Sequence, residues 1–440
     1  MKFHDILPAV NLRGSVTLPG DKSISHRALI LSALSCQPTK IYNLPDSEDV
    51  NSTVSVLTRL GVKIRRPKPA QAIVYGRGLS SLTKPQEDIY IKESGTTFRI
   101  LLGLLAGQDF GVRLLAGEYL SKRPMLRVTS PLRQMGALIE ARRINNEEYP
   151  PIFINGGRLK GITYKMRVAS AQVKSAILLA GLYASGETKV IEPVKTRDHT
   201  ERMLKFFKAK IKLKGNTTVI TRCLSLKPPK SIVIPGDFSS AAFFIVAATL
   251  LPDSRLRLKS INLNPTRTGL LKVLKMMGAD ISIKNLDKGV SSPEPVGDIE
   301  IRTARLKAVR VLDSLVPSLI DELPILMVAS SLAKGVTVLE GVGELRFKET
   351  DRIRSMSENL NKMGGDVRIV KKGIKESVVI RGVRELKPAS LKSFSDHRTA
   401  MSLLVAASCL CSKSRIEDLS CINKSFPGFL TLFKSLSKQA

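Results

Sequence analysis

The chain of 440 residues has no tryptophan, only four histidines and five cysteines, and aromatic residues make up 5% of it. With histidine so scarce, and with no pair of ligand-type residues at metal-binding spacing, no metal site is expected. The cysteines are odd in number and unpatterned, which argues against a disulfide framework and for reduced thiols in a cytoplasmic protein. A chain without tryptophan is poorly supplied with stacking platforms for single-stranded nucleic acid. Zinc-finger, helix-turn-helix and RNP signatures are missing too. The longest uncharged apolar run, Ala241–Leu251, falls far short of the ~20 residues of a membrane span. Met1–Asp5 lacks the apolar core of a signal peptide. Acidic residues are also in short supply, 38 against 70 Lys and Arg, for a net charge of +32. Such a charge suits a nucleic-acid binder, a membrane-surface protein, an enzyme for anionic substrates or merely a lysine-rich proteome. Apart from a short cluster at Lys63–Lys68 the cations are dispersed, which argues against nucleic-acid binding and for ordinary solvated charge over most of the chain.

What the chain does have is a long-period repeat. At intervals of roughly 65–85 residues a polar cluster runs into an apolar, small-residue-rich helix. These helices are Ala28–Leu34, Arg99–Ala106, Ala176–Ala184, Ala241–Leu251, Pro324–Ala333 and Ala400–Cys411. Ahead of them stand Asp21-Lys22-Ser23, Glu93-Ser94-Gly95-Thr96, Ser170-Ala171-Gln172, Gly236-Asp237-Phe238-Ser239, Asp321-Glu322 and Ser395-Asp396-His397-Arg398. A second helix closing on glycine follows in four copies, at Gly61, Gly136, Gly278 and Gly364, with an alternating, strand-like stretch after it. The third copy, Phe206-Phe207-Lys208-Ala209, lacks the glycine, and the sixth stops short at Phe429–Leu436. Six such units, in a chain too long for one ordinary core, are most simply two domains of three. Helix N-termini carry free N–H groups and partial positive charge, so convergence of the six ends would create an anion-binding cleft.

Several segments offer chemistry, and each also has an ordinary reading. Leu18–Arg27 places Lys22 and Arg27 around one helix start, as an anion site or as a capped helix with two solvated cations; it is not a P-loop. In Glu93–Arg99, Gly95 permits close approach to backbone N–H groups while Ser94, Thr96 and Thr97 supply hydroxyls. Ser121–Arg127 is a dense basic loop. Lys348-Glu349-Thr350-Asp351-Arg352 surrounds a carboxylate with cations, Lys348 and Arg352 being spaced to share a helix face. The competing view there is a surface salt-bridge ladder. Asp321 is either the cap of the fifth helix or a general base for a substrate hydroxyl.

Taken together, Leu18–Arg27, Ser94–Arg99, Arg123–Arg127, Ser170–Lys174, Arg197–Glu201, Pro235–Ala242, Asp321–Pro324, Lys348–Arg352, Asp396–Arg398 and Lys424–Pro427 resemble, in order, the motifs of the 5-enolpyruvylshikimate-3-phosphate synthases (3-phosphoshikimate 1-carboxyvinyltransferases). Gly20–Ser23, Ser170–Lys174, Arg197–Glu201 and Asn264-Pro265-Thr266-Arg267 resemble the second of that family's sequence classes.

The resemblance implies an α/β fold, a two-domain inside-out α/β barrel with three βαβαββ repeats per domain. Residues 21–235 would form one domain, residues 1–20 plus 236–440 the other, with hinges near 20 and 235 and the active site in the interdomain cleft. It implies a monomer that needs no cofactor and acts on shikimate 3-phosphate and phosphoenolpyruvate, with neither nucleic acid nor membrane as partner. By motif, Lys22, Ser23, Arg27, Ser170, Ala171, Gln172, Arg197, Asp321 and Lys348 would contact shikimate 3-phosphate. Lys22, Gly95, Arg123, Gln172, Arg352, Arg398 and Lys424 would contact phosphoenolpyruvate. Asp321 would be the base for the 5-hydroxyl, Glu349 with Lys22 the proton shuttle at C3, and His397 the residue orienting Glu349. Glu93 and Glu344 stand where the family often has Asn, and Ala171 where it often has Ser; Glu93 is expected to pair with Arg123 or Lys122. Two alternatives remain. One is a UDP-N-acetylglucosamine enolpyruvyl transferase, which typically carries a cysteine in the loop that here reads Glu118–Arg127 without one. The other is a basic nucleic-acid-binding protein.

Overall fold

The computed structural model describes residues 3–287, 292–373 and 375–439. Its helices, in chain order, are α1 (Lys22–Ala33), α2 (Glu48–Arg59), α3 (Gly95–Leu105), α4 (Leu126–Gln134), α5 (Ala171–Gly181), α6 (His199–Phe206), α7 (Phe238–Leu250), α8 (Gly269–Met276), α9 (Val316–Leu319), α10 (Leu323–Ser331), α11 (Arg352–Lys362), α12 (His397–Ser408) and α13 (Phe429–Leu436). The six apolar stretches are α1, α3, α5, α7, α10 and α12. They are buried almost all round; in α7 every residue from Phe238 to Thr249 is inside. A helix apolar on every face belongs in a core, whereas α2, α4, α6, α8, α11 and α13 bury one face only.

Helices α2, α4, α8 and α11 end on glycines in the left-handed region, Gly61, Gly136, Gly278 and Gly364, with φ of +86°, +110°, +94° and +82°. The chain then folds back on itself, as when Val62 N donates to Leu57 O at 3.0 Å. The copy without glycine makes the same turn. Lys208 takes φ +61°, and Ala209 N donates to Leu204 O at 2.9 Å. A left-handed conformation costs a residue with a Cβ about 1–2 kcal/mol, a sum the rest of the copy absorbs.

The strands show what repeats. Ile89–Tyr90 runs parallel to Gly111–Leu115, which pairs antiparallel with Glu147–Asn155, which pairs antiparallel with Leu138–Ile144. The same pattern joins Thr163–Lys165, Glu187–Ile191, Thr217–Thr221 and Ile211–Lys214. It recurs in Ser231–Val233, Pro38–Tyr42, Gln71–Tyr75 and Lys63–Arg65, where the parallel strand comes from much later in the chain. The remaining copies are Ala9–Thr17 with Arg255–Asn262, Val296–Arg302 and Asp280–Asp287, then Arg310–Val311 with Val336–Leu339, Lys375–Arg381 and Asp366–Lys372. In the last, Ser390–Lys392 lies parallel to Ser414–Glu417, and the strand antiparallel to it is Phe3–Ile6. Phe3–Ile6 thus supplies one antiparallel strand to the truncated sixth copy, whose sheet has three strands among the described residues. The fold is α/β with mixed sheets.

Two compact units result. One comprises Met1–Pro19, Pro235–Gly289 and Pro295–Ala440; the other comprises Gly20–Ile234 and Val290–Glu294. Each has its own apolar core. That of the first includes a ring cluster of Phe243, Phe244, Phe426, Phe429 and Phe433 joining α7 to α13 and the turn before it. Assigning residues 236–440 to one domain left out a detail. Glu294, from the connection between Asp280–Asp287 and Val296–Arg302, groups with residues 20–234, where its carboxylate lies 2.7 Å from His199 Nδ1 with both side chains buried. Among the described residues no single helix is long and apolar enough to cross a membrane.

Candidate active site

In the unit built on residues 20–234, polar groups gather at the N-terminal ends of α1, α3 and α5. Asp21, Ser94 and Ser170 cap these helices, each side chain accepting a backbone N–H from the first turn. Lys22, the first residue of α1, donates to Asp49 in the first turn of α2 at 2.6 Å. Arg27, one turn on, is buried and bonded through all three nitrogens: to Thr200 Oγ1 at 2.6 Å, Ser23 O at 2.8 Å and Ser175 Oγ at 2.7 Å. Burial pulls its guanidinium down to about 10, opposed by the carboxylates of Glu201, Asp21 and Glu294 and reinforced by Arg197. Two candidate cations of the sequence analysis, Arg27 and Arg197, therefore share one neighbourhood.

Gln172, near the start of α5, accepts from Arg99 Nη1 at 2.7 Å and donates to Thr96 Oγ1 at 3.0 Å, so α3 and α5 are tied at their N-terminal ends. Ala171 is the first residue of α5. Arg123 lies directly over Gly95: a Cβ there would come within 2.7 Å of its Nη1. Glycine leaves the room in which that guanidinium sits.

In the other unit the N-terminal ends of α7, α10, α11 and α12 carry the candidates. Arg352 opens α11 and is buried, with three carboxylates around it: Asp396 at 2.9 Å, Glu349 at 2.6 Å and Asp321 at 3.4 Å. Burial pushes its pKa down, but Asp396, Glu349 and Asp321 overcome this and hold it above the ordinary arginine value. Asp321 also has Lys348 Nζ at 3.7 Å and Arg398 Nη2 at 3.8 Å, and its backbone carbonyl accepts from Arg398 Nη1 at 3.0 Å. Asp396 caps α12, accepting from the N–H groups of Arg398 and Thr399 while it holds Arg352. His397 begins α12 beside it. Lys424 ends the turn Ser420–Lys424, which packs on α12.

Three sequence expectations change. Asp321 does not cap α10. The capping position falls to Glu322, whose side chain makes no capping bond and instead lies buried between Arg267 at 2.9 Å and Arg398 at 3.5 Å, with Ser239 donating to it. Asp321 is left in a turn with its carboxylate among cations. Lys348 and Arg352 do not share a helix face, because α11 starts only at Arg352 and Lys348 has extended backbone. Lys348 reaches Asp321 from the turn before the helix, and Arg352 from the helix's first residue. Finally, Glu93 pairs with neither Arg123 nor Lys122 as expected: it accepts from the backbone N–H groups of Tyr119 at 3.3 Å and Leu120 at 2.8 Å, while Lys122 bonds Glu118. The N–H groups at the start of the turn Leu120–Lys122 satisfy that carboxylate, and Lys122 feels its charge without bonding to it.

Other polar residues beside these groups carried no role in the sequence reading. Lys174, His199, Glu201, Arg267 and Glu322 lie inside the motifs; Asp49, Glu192 and Glu294 had no motif to mark them. Lys174 is fully buried between Glu192 at 2.9 Å and Glu201 at 2.6 Å. Burial holds Glu201 above the usual carboxylate value, against the pull of Lys174. Lys174→Met keeps much of the length but leaves two buried carboxylates without their cation. It is expected to cost about 3–5 kcal/mol in denaturant unfolding; a loss below ~1 kcal/mol would show that Lys174 is not what holds them.

A family model described as EPSP synthase (3-phosphoshikimate 1-carboxyvinyltransferase) matches residues 7–433. A 3-phosphoshikimate 1-carboxyvinyltransferase of Petrotoga mobilis is 44% identical over 433 residues, covering 98% of this chain and 99% of its own. The enzyme of that name from Desulforudis audaxviator is 45% identical over 431 residues, covering 98% of each. Among solved structures, an EPSP synthase from Acinetobacter baumannii superposes with a TM-score of 0.87 at 39% identity, over 99% of this chain and 98% of that one. The enolpyruvyl transferase NikO from Streptomyces tendae superposes at 0.75 with 17% identity, a likeness of fold.

Proposed function

The chain belongs to the EPSP synthase family, the 3-phosphoshikimate 1-carboxyvinyltransferases of the shikimate pathway to aromatic amino acids, and from that premise we propose which of its residues carry the transfer of the enolpyruvyl group of phosphoenolpyruvate to shikimate 3-phosphate. Asp321 takes the proton of the 5-hydroxyl as that oxygen attacks C2 of phosphoenolpyruvate. Glu349 and Lys22 deliver a proton to C3, with His397 orienting Glu349. The tetrahedral adduct then loses phosphate from C2 and a proton from the C3 methyl, taken back by the Glu349–Lys22 pair, to leave the enol ether. The observation that carries this reading is the setting of Asp321, a carboxylate released from capping and bracketed by Lys348, Arg352 and Arg398.

Those cations hold Asp321 in the free protein, and incoming phosphate and carboxylate groups compete for them. As substrate anions take over Lys348, Arg352 and Arg398, Asp321 loses its counter-charges and becomes a better base for the hydroxyl placed beside it. Shikimate 3-phosphate is assigned to Lys22, Ser23, Arg27, Ser170, Ala171, Gln172, Arg197, Asp321 and Lys348. Phosphoenolpyruvate is assigned to Lys22, Gly95, Arg123, Gln172, Arg352, Arg398 and Lys424. Guanidinium forks match carboxylate and phosphate two bonds at a time, which suits arginine to this work. The inside-out barrel form of each unit, a monomeric state, cytoplasmic action and independence of nucleic acid follow from the resemblance, with the dispersed cations in support.

The test is phosphate release. The purified protein with shikimate 3-phosphate and phosphoenolpyruvate, and no added metal, is expected to release phosphate, and with UDP-N-acetylglucosamine as acceptor it is expected to release none. Silence with the first acceptor, or equal rates with both, would remove the proposal.

A further inference from the structure

Behind the segment that presents Gly95 runs a line of buried hydroxyls ending on an imidazole. Ser94 Oγ lies 2.7 Å from Thr97 Oγ1, Thr97 Oγ1 lies 2.7 Å from Thr53 Oγ1, and Thr53 Oγ1 lies 2.7 Å from His26 Nδ1. None of the four residues exceeds 2% exposure. The line starts on α1, crosses α2 and ends at the cap of α3. One turn before Thr53 on α2, Asp49 holds Lys22 through its side chain at 2.6 Å and accepts from Thr97 Oγ1 at its carbonyl at 3.4 Å. One face of α2 thus braces both Lys22 and the start of α3.

His26 has a second nitrogen, Nε2, which is buried and has no hydrogen-bond partner among the described residues. Burial, reinforced by Lys22 and Arg27, keeps the imidazole neutral, its pKa well below the usual histidine value. A neutral ring with one unpartnered nitrogen is best served by a proton on the other, since a buried N–H without an acceptor costs more than a bare lone pair. Nδ1–H then donates to Thr53 and Thr53 donates to Thr97, whose single hydroxyl proton lies between Ser94 Oγ at 2.7 Å and the Asp49 carbonyl at 3.4 Å; Ser94 Oγ also accepts Thr97 N at 3.3 Å. The sense of the line as far as Thr97 follows from its buried end. Arg27, the next residue on α1, turns to Ser175 and Thr200 instead. Adjacent helical residues point about 100° apart, and α1 divides its work accordingly.

We propose that His26 and Thr53 are positioning residues for phosphoenolpyruvate: by fixing the Ser94 cap they hold the Gly95 backbone under Arg123, on a line separate from the one that fixes Arg27. This rests on the assignment of Gly95 and Arg123 to phosphoenolpyruvate made above. Thr53→Val preserves shape and removes the hydroxyl, while Thr53→Ser keeps the hydroxyl. Steady-state phosphate release should give Thr53→Val a KM for phosphoenolpyruvate raised roughly tenfold, as small misplacements of a binding segment do. The KM for shikimate 3-phosphate should stay within about twofold, and Thr53→Ser should restore both. His26→Asn, whose amide nitrogen can take the place of Nδ1, is expected to behave like Thr53→Ser, and His26→Leu like Thr53→Val. The histidine pair decides the matter if Thr53→Val fails to fold.

An unchanged KM for phosphoenolpyruvate, or a parallel rise for both substrates, would overturn the proposal. Arg123→Ala separates the two levels. If it leaves phosphoenolpyruvate binding intact, the site assignment itself is wrong; if it weakens binding while Thr53→Val does not, only the role of the line is lost.

Discussion

Asp321→Asn is expected to lower kcat by roughly 10²–10⁴, the range for a lost general base, with much smaller changes in either KM. Asparagine keeps the shape, an oxygen to accept from Arg352 and the backbone carbonyl that accepts from Arg398, but it cannot take the proton of the 5-hydroxyl. The substitution therefore separates base chemistry from architecture. Asp321 does not cap α10, so that helix start loses nothing, and the unfolding midpoint should change little. Phosphate release at saturating substrates measures the loss. A kcat within a few-fold of the parent would place the base elsewhere, and an equal fall in stability would mean that Asp321 is mainly a structural counter-ion.

The second large effect concerns Arg352. Nε, Nη1 and Nη2 bond Asp396, Asp321 and Glu349. Of the five N–H groups of a guanidinium, the three that make these bonds leave two for an incoming anion. Arg352→Met would leave Asp396, which is fully buried, with only its two backbone capping bonds. The expected cost is about 3–5 kcal/mol of stability, as when one partner of a buried ion pair is removed. A rise in KM for phosphoenolpyruvate should accompany it in whatever folded protein remains. Glu349→Gln is the comparison. Its side chain is 38% exposed, so loss of its pairing should cost less than ~1 kcal/mol. Denaturant unfolding of both variants checks the ranking, and equal losses would show that burial is not what gives the Arg352 cluster its weight.

Much of this was open to reading along the chain. The apolar helices with polar residues ahead of them and the closing glycines recur at a fixed period. Both signals are local: a helix buried on every side has to be apolar throughout, and a left-handed turn favours glycine. Lys208 shows the limit of the second, since a lysine makes the same turn at φ +61°. The proximity of Asp321 and Arg398 to Lys348 and Arg352 could be drawn only from the resemblance, because no local period relates residues so far apart, and the four-residue spacing of Lys348 and Arg352 pointed to a shared helix face that they do not have.

By itself the sequence determined the repeat, which stretches are helical and the abundance of cations near their starts, for these depend on side chains a few residues apart. The starts themselves lie one to six residues ahead of the apolar stretches, at Lys22 rather than Ala28 in α1. Tertiary structure alone decided that neither Asp321 nor Glu322 caps α10 with its carboxylate, each lying among cations instead, and where a charge such as Glu93 is satisfied. It also decided that Phe3–Ile6 completes a sheet with Ser414–Glu417, and that Thr53 and Thr97 meet. Those outcomes depend on the competition among all donors, acceptors and charges that packing brings within a few ångströms, and the linear order does not say which of them will be neighbours.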